Sequence, residues 1–210
     1  MKVISYYTKK YEGEASTLIE SLKRFSMDHC VEERPSLGTW HENVRYKPEF
    51  ILEKLKENDS VVWMDSDCAV VQEPTLLFEI DPSVDIALHI HPAVEDNKRI
   101  IYEAGVTYFR NTPRMIAFLE KLIQFIKSEE YLGGTGYRKG DQNALTQMLL
   151  KERKCDQNAL AHLIVQERSL KILNLPVEYN CFPYFIARDP KIKPVITHAM
   201  ASRIHNRGGK

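Results

Sequence analysis

Val61-Val62-Trp63-Met64-Asp65-Ser66-Asp67-Cys68-Ala69-Val70-Val71 decides how this chain is read. The apolar run before the first aspartate is too short for a helix and rich in β-branched side chains, so it predicts a buried strand. Two carboxylates one residue apart at the end of such a strand repel each other and lose solvation unless a cation sits between them. Hard oxygen donors suit Mg²⁺ or Mn²⁺, with phosphate from a ligand completing the shell. The plain alternative is a strand-end turn with solvated carboxylates. The sharper reading is a metal-dependent enzyme acting on a diphosphate-bearing substrate.

Outward from this strand the pattern is that of an α/β domain. Val3 to Tyr7 predicts a first buried strand, and Leu18, Ile19, Leu22 and Phe25 carry helical spacing over Glu14 to Phe25. Phe50, Ile51, Leu52 and Leu55 form a second helical stripe that ends at Asn58-Asp59, just ahead of the Asp-x-Asp strand. Strand, helix, helix, strand opens a parallel sheet with crossover helices. Short strands are expected at Asp85 to His89, Val106 to Phe109, Leu170 to Leu175 and Pro194 to Thr197. Pro113 to Lys127 predicts an amphipathic helix with proline in its first turn. Gly133-Gly134-Thr135-Gly136 predicts a loop, and the basic residues 203–210 a mobile tail.

A tandem repeat stands out between these elements. Gly140-Asp141-Gln142-Asn143-Ala144-Leu145 recurs fifteen residues later as Cys155-Asp156-Gln157-Asn158-Ala159-Leu160. Each copy predicts a short helix with aspartate near its start, where Asp141 and Asp156 could serve simply as N-caps.

Composition narrows the function classes. The 210 residues suffice for one α/β domain, and 29 basic residues against 29 acidic ones give no case for a nucleic-acid partner or an anionic membrane. Four cysteines lie far apart with no Cys-x-x-Cys pair, which suits reduced thiols in a cytoplasmic setting. No stretch is long and apolar enough to span a bilayer, so any membrane contact is expected to be peripheral.

An ordered set of motifs along nearly the whole chain resembles the nucleotide-diphospho-sugar glycosyltransferases of the GT-A fold, closest to the small soluble type of bacteria and large viruses. It comprises Tyr6-Tyr7-Thr8, Tyr46-Lys47-Pro48-Glu49-Phe50-Ile51 and Trp63-Met64-Asp65-Ser66-Asp67. Ala104-Gly105-Val106 follows, running on to Phe109-Arg110-Asn111-Thr112 and an Asp-Gln-x-x-Leu element. Last come Leu175-Pro176-Val177-Glu178-Tyr179 and Pro194-Val195-Ile196-Thr197-His198 with Ala201-Ser202-Arg203. An Asp-x-Asp alone is a weak signal; the ordered set is a strong one.

The resemblance implies a single GT-A domain over 1–202, with a mixed, mostly parallel sheet flanked by helices. Residues 1–75 would form the nucleotide half and 76–202 the sugar and acceptor half. It implies Mn²⁺ or Mg²⁺ held by Asp65, Asp67 and His198, a nucleotide-diphospho-sugar donor (a UDP-sugar favoured) and a glycan or glycoconjugate acceptor. Tyr6, Tyr7 and Thr8 would border the base, though alternation lets only one of the two tyrosines face it. Lys47 would approach the donor phosphate or sugar. Asp65, Ser66, Ala104, Gly105 and Arg203 would complete the donor site. An Asp-Gln pair, either Asp141 with Gln142 or Asp156 with Gln157, would contact donor-sugar hydroxyls. A retaining transfer would lean on that glutamine, whereas an inverting one needs a carboxylate base, with Glu103, Asp141 and Asp156 as candidates. Relatives often carry Asn or Ser where Ala104 stands.

Two rival readings remain at this level. Phosphatases of the haloacid dehalogenase type also place Asp-x-Asp after a buried strand, but there Gly-Thr or Gly-Val normally follows the second aspartate. Here Cys68-Ala69 does. The other rival is a nucleotide-sugar-binding protein without turnover.

Overall fold

The computed structural model of the chain describes residues 1–92, 100–128 and 156–201. The first half runs β1 (Lys2–Tyr7), α1 (Glu12–Arg24), β2 (His29–Glu33), α2 (Trp40–Arg45), α3 (Lys47–Lys56), β3 (Ser60–Met64), β4 (Cys68–Val70) and α4 (Thr75–Phe78). The second half adds β5 (Ile86–Pro92), β6 (Ile100–Arg110), α5 (Pro113–Lys127), α6 (Asp156–Gln166), β7 (Ile172–Asn174), α7 (Pro183–Arg188) and β8 (Ile196–His198). Among the described residues, six strands form one sheet in the order β2-β1-β3-β6-β5-β7, and β4 pairs with β8 in a separate ribbon. Within the large sheet β6 runs against β3 and β5, while β1–β2, β1–β3 and β5–β7 are parallel. The sheet is therefore mixed and mostly parallel, as expected.

Both faces of the sheet are covered, which is why its central strands read as unbroken apolar runs. Every residue of β3 is buried. Alternation sends Val61 and Trp63 to one face, against Phe50, Leu55, Phe118 and Leu122 of α3 and α5. Val62 and Met64 go to the other face, against Leu18 and Leu22 of α1. The α5 helix has the bounds its sequence predicts. Thr112 caps it by accepting the Met115 N–H at 3.2 Å, Pro113 opens it, and Met115, Phe118, Leu119, Leu122 and Ile126 are its buried stripe.

Two differences from the sequence reading matter. A strand, β2, lies between α1 and α3 where only a connection was expected. It is an edge strand without a fully buried residue, so its side chains carry no apolar alternation. β6 is also longer than expected, and its ladder with β5 slips. Leu88 pairs with Thr107 but His89 pairs with Glu103, leaving residues 104–106 as extra length on β6. That bulge lies beside the end of β3 and re-aims Gly105 towards the Asp-x-Asp turn. Of the repeat, the second copy supplies α6, while the first copy, the glycine-rich loop and the tail lie outside the described residues.

Candidate functional site

The Asp-x-Asp turn is pinned from both sides. The Asp65 N–H donates to the Gly105 carbonyl at 2.8 Å, and the Cys68 N–H donates back to the Asp65 carbonyl at 2.9 Å, closing a tight turn from β3 into β4. β4 then pairs antiparallel with β8, setting Cys68 opposite His198. This register carries the histidine, 130 residues further along the chain, to the two aspartates.

Around the turn the side chains converge on one ring nitrogen. His198 Nε2 lies 3.2 Å from Asp67 Oδ1 and 3.5 Å from Asp65 Oδ2. The other Asp65 oxygen accepts from the Trp63 indole N–H at 2.7 Å and from the Lys47 ammonium at 2.9 Å. Asp67 Oδ2 accepts from the Ala201 N–H at 2.6 Å. Lys47 is only 7% exposed and stands over the Trp63 ring, so its charge is committed to this corner. Behind it, Lys47, Trp63, Ala104 and Thr107 help line an apolar cavity of about 20 Å³, room for roughly one water molecule.

The electrostatics follow from this crowding. Burial pushes the Asp67 carboxyl up, but the His198 ring and the Ala201 N–H outweigh it and hold Asp67 below the ordinary carboxylate range. Burial opposes charge on His198 too, yet Asp67 and Asp65 together raise its pKa above the ordinary imidazole value. The pair thus favours positive charge at the position of Nε2, whether a proton or a metal supplies it. Asp67, Cys68 and His198 offer three donor atoms within 4.8 Å of one another. Cys68 is the poor member: burial and both aspartates push its thiol well above its usual pKa, and its Sγ is directed at the Gly105 carbonyl. Two carboxylates and an imidazole, Asp65, Asp67 and His198, make the better set for a hard divalent ion and fit one chemically.

The other expected site residues fall out as follows. Tyr6 packs inward, its ring centroid 5.2–5.6 Å from those of Tyr46, Phe50 and Trp63 and its hydroxyl donating to the Asn43 carbonyl. Alternation leaves Tyr7 for the opposite side, and the half-buried Thr8 follows the end of β1. Ser66 is half-buried within the turn, Ala104 is buried beside the Lys47 cavity, and Gly105 lies beneath the His198 ring. Glu103 is 7% exposed on β6, paired across the sheet with His89. Asp156 and Gln157 belong to α6, and their side chains are not described; Asp141, Gln142 and Arg203 lie outside the described residues. Sequence reasoning missed Asn180, whose Oδ1 lies 3.2 Å from His198 Nδ1. It directly follows the Leu175 to Tyr179 motif, and no local pattern marks it.

A family model described as nucleotide-diphospho-sugar transferase matches residues 18–208. No curated protein sequence matches. Among solved structures, one similar chain is a glycosyltransferase involved in the glycosylation of the major capsid of PBCV-1. It is 12% identical with a TM-score of 0.67, covering 99% of this chain and 98% of that one. Mouse xyloside xylosyltransferase 1 is 10% identical with a TM-score of 0.56, covering 96% and 99% of the two chains. The glycosyltransferase GlyE of Streptococcus pneumoniae TIGR4 is 18% identical with a TM-score of 0.55, covering 94% of this chain and 54% of that one. At such identities the likeness speaks for the fold.

Proposed function

This chain belongs to the nucleotide-diphospho-sugar transferase family and is a glycosyltransferase; on that premise we propose that it transfers a sugar from a UDP-sugar to a glycan hydroxyl with Mn²⁺ or Mg²⁺, retaining the anomeric configuration. The observation that carries the reading is the convergence of Asp65 Oδ2 and Asp67 Oδ1 on His198 Nε2. Two carboxylates facing one imidazole nitrogen need a cation there, and a diphosphate leaving group needs the same cation.

Asp65, Asp67 and His198 would hold the ion, which supplies positive charge against the departing nucleoside diphosphate. Trp63 and Lys47 fix the Asp65 carboxylate through its other oxygen, so it meets its ligand already oriented. Lys47 adds a second positive charge on the donor side. Tyr7 and Thr8, at the end of β1, border the base. The Asp-Gln element contacts the donor sugar beside the reacting carbon. Retention is supported by the setting of Glu103, which is buried within the sheet rather than presented to an acceptor. The family match sets aside the phosphatase alternative.

The test is calorimetry with UDP-, GDP- and dTDP-sugars, with and without Mn²⁺, on wild type and Asp67→Ala. Tight binding of the UDP-sugar that requires Mn²⁺ and vanishes in the variant supports the proposal. Equal binding in the two proteins, or binding indifferent to metal, sinks it. Among the described residues no helix is long and apolar enough to cross a membrane.

A further inference from the structure

We infer that Asn180 is a positioning residue that holds His198 in the tautomer able to coordinate a metal through Nε2, within a slot formed by Gly105 and Phe182. The inference rests on the metal reading above.

The His198 ring is held on three sides. Gly105 lies beneath it: a Cβ there would run into Nδ1 and Cε1 and stand 3.0 Å from Asn180 Oδ1. This is a glycine required by close approach rather than by backbone conformation. The Phe182 ring is stacked on the imidazole, with centroids 4.5 Å apart and planes inclined by 30°. At the edge, Asn180 Oδ1 meets Nδ1 at 3.2 Å. A carbonyl oxygen only accepts, so with the amide in this orientation Nδ1 carries the proton. When the ring is neutral its lone pair is then on Nε2, the nitrogen that faces Asp67 and Asp65. The opposite tautomer would put N–H where the ion belongs.

The burial of Asn180 points the same way. The residue is completely buried, and its Nδ2 finds no hydrogen-bond partner among the described residues. A buried amide with its donor half unsatisfied costs stability, and a leucine of similar size would not carry that cost. What the amide supplies and leucine cannot is the acceptor at Nδ1. Metal-ligating histidines ordinarily donate their second N–H to such an acceptor, which fixes ring orientation and raises ligand basicity.

The experiment compares wild type, Asn180→Leu, Asn180→Asp and Asp67→Asn. Mn²⁺ affinity is measured by calorimetry, alone and with saturating UDP, after thermal unfolding in EDTA has shown which variants fold. The ¹⁵N shifts of His198 are read in the EDTA-treated proteins, at an alkaline pH where the ring is neutral. Asn180→Leu is expected to weaken Mn²⁺ binding by about 10- to 100-fold and to replace the single Nδ1–H tautomer with a mixture. Asn180→Asp keeps the acceptor and should retain both the affinity and the tautomer. Wild-type affinity and tautomer in a folded Asn180→Leu protein would overturn the inference. So would an equal loss in both Asn180 variants, which marks a packing role. If Asp67→Asn also leaves Mn²⁺ binding untouched, the metal reading itself has failed, and the variant shows which of the two fell. A leucine variant that does not fold leaves Asn180→Asp and the wild-type tautomer to decide: an Nε2–H tautomer in the neutral, EDTA-treated wild type overturns the inference.

Discussion

Two places in this molecule hold carboxylates at strand ends, at the two opposite strand-end edges of the same sheet. Asp85 precedes β5 and is completely buried. Its Oδ1 accepts from the Thr112 hydroxyl at 2.9 Å, and its Oδ2 from the Lys171 N–H at 2.9 Å. Arg114 supplies the opposing charge 3.1 Å from Oδ2. One negative charge meets one positive charge and two further donors, and the account closes. At the other edge, Asp65 and Asp67 follow β3. Among the described residues their charged partners are Lys47 and, when protonated, His198. With the imidazole neutral, two anions face one cation. Asp85 ties β5, α5 and the start of β7 together, whereas the Asp-x-Asp turn leaves a positive charge still to be supplied. Asp85 is both fully buried and fully compensated, whereas the half-buried Asp65 and Asp67 keep the uncompensated charge that the proposed ligand role needs.

Neutralising one carboxylate at each edge should break the two regions in opposite ways. Asp67→Asn keeps an oxygen for the Ala201 N–H but removes the charge. Metal-dependent turnover should fall on the order of 10³-fold, about 4 kcal/mol of transition-state stabilisation. Unfolding of the EDTA-treated protein should move far less. A variant with near wild-type kcat and metal dependence would show that the second aspartate is not a ligand.

Asp85→Ala should do the reverse. Removing the buried carboxylate takes the acceptor from the part-buried Thr112 hydroxyl and Lys171 N–H and the counter-charge from Arg114, at a cost of about 3 kcal/mol. For a chain of this size that lowers Tm by about 6–12 °C. Well below the transition, kcat/KM and metal affinity should match wild type. Thermal unfolding beside initial rates at low temperature checks both halves, and lost activity in the folded variant would erase the distinction between the edges.

How much of this was legible in the sequence follows the range of the interactions. β3 and its aspartates were readable because a strand buried on both faces writes itself as a short β-branched run, and α5 because cap, proline and apolar stripe all lie within its own residues. β2 was not, since an edge strand bearing Glu32 and Glu33 is held by its ladder to β1 rather than by an apolar face. His198 was identified through family resemblance; what delivers it is the pairing of β4 with β8, which spacing alone does not encode. Asn180 was missed for the same reason, as it meets His198 only after both segments are in place. Asp85 was read as a strand residue, because nothing local announces that Arg114 and the Lys171 N–H will close on it.

The finest test of the contrast is the pH response of the metal-free protein. Asp67 titrates lower in the folded chain than in the unfolded one, so its contribution is present above the unfolded carboxylate pKa and is lost as pH falls through the depressed folded value. His198 titrates higher when folded, so its contribution is complete below the ordinary imidazole pKa and is lost as pH rises through the raised folded value. In EDTA, stability should therefore decline on the alkaline side as Nε2 loses the proton that stands between the carboxylates. Saturating Mg²⁺ should reverse that limb, because metal and proton compete for one nitrogen and the metal gains as the proton leaves. His198→Gln should flatten the slope in both conditions. Thermal unfolding across neutral and mildly alkaline pH reads the sign directly. The same downward slope with and without Mg²⁺ would mean that the proton on His198 never gives way to a metal, and that this edge of the sheet closes its charge account internally, as Asp85 does.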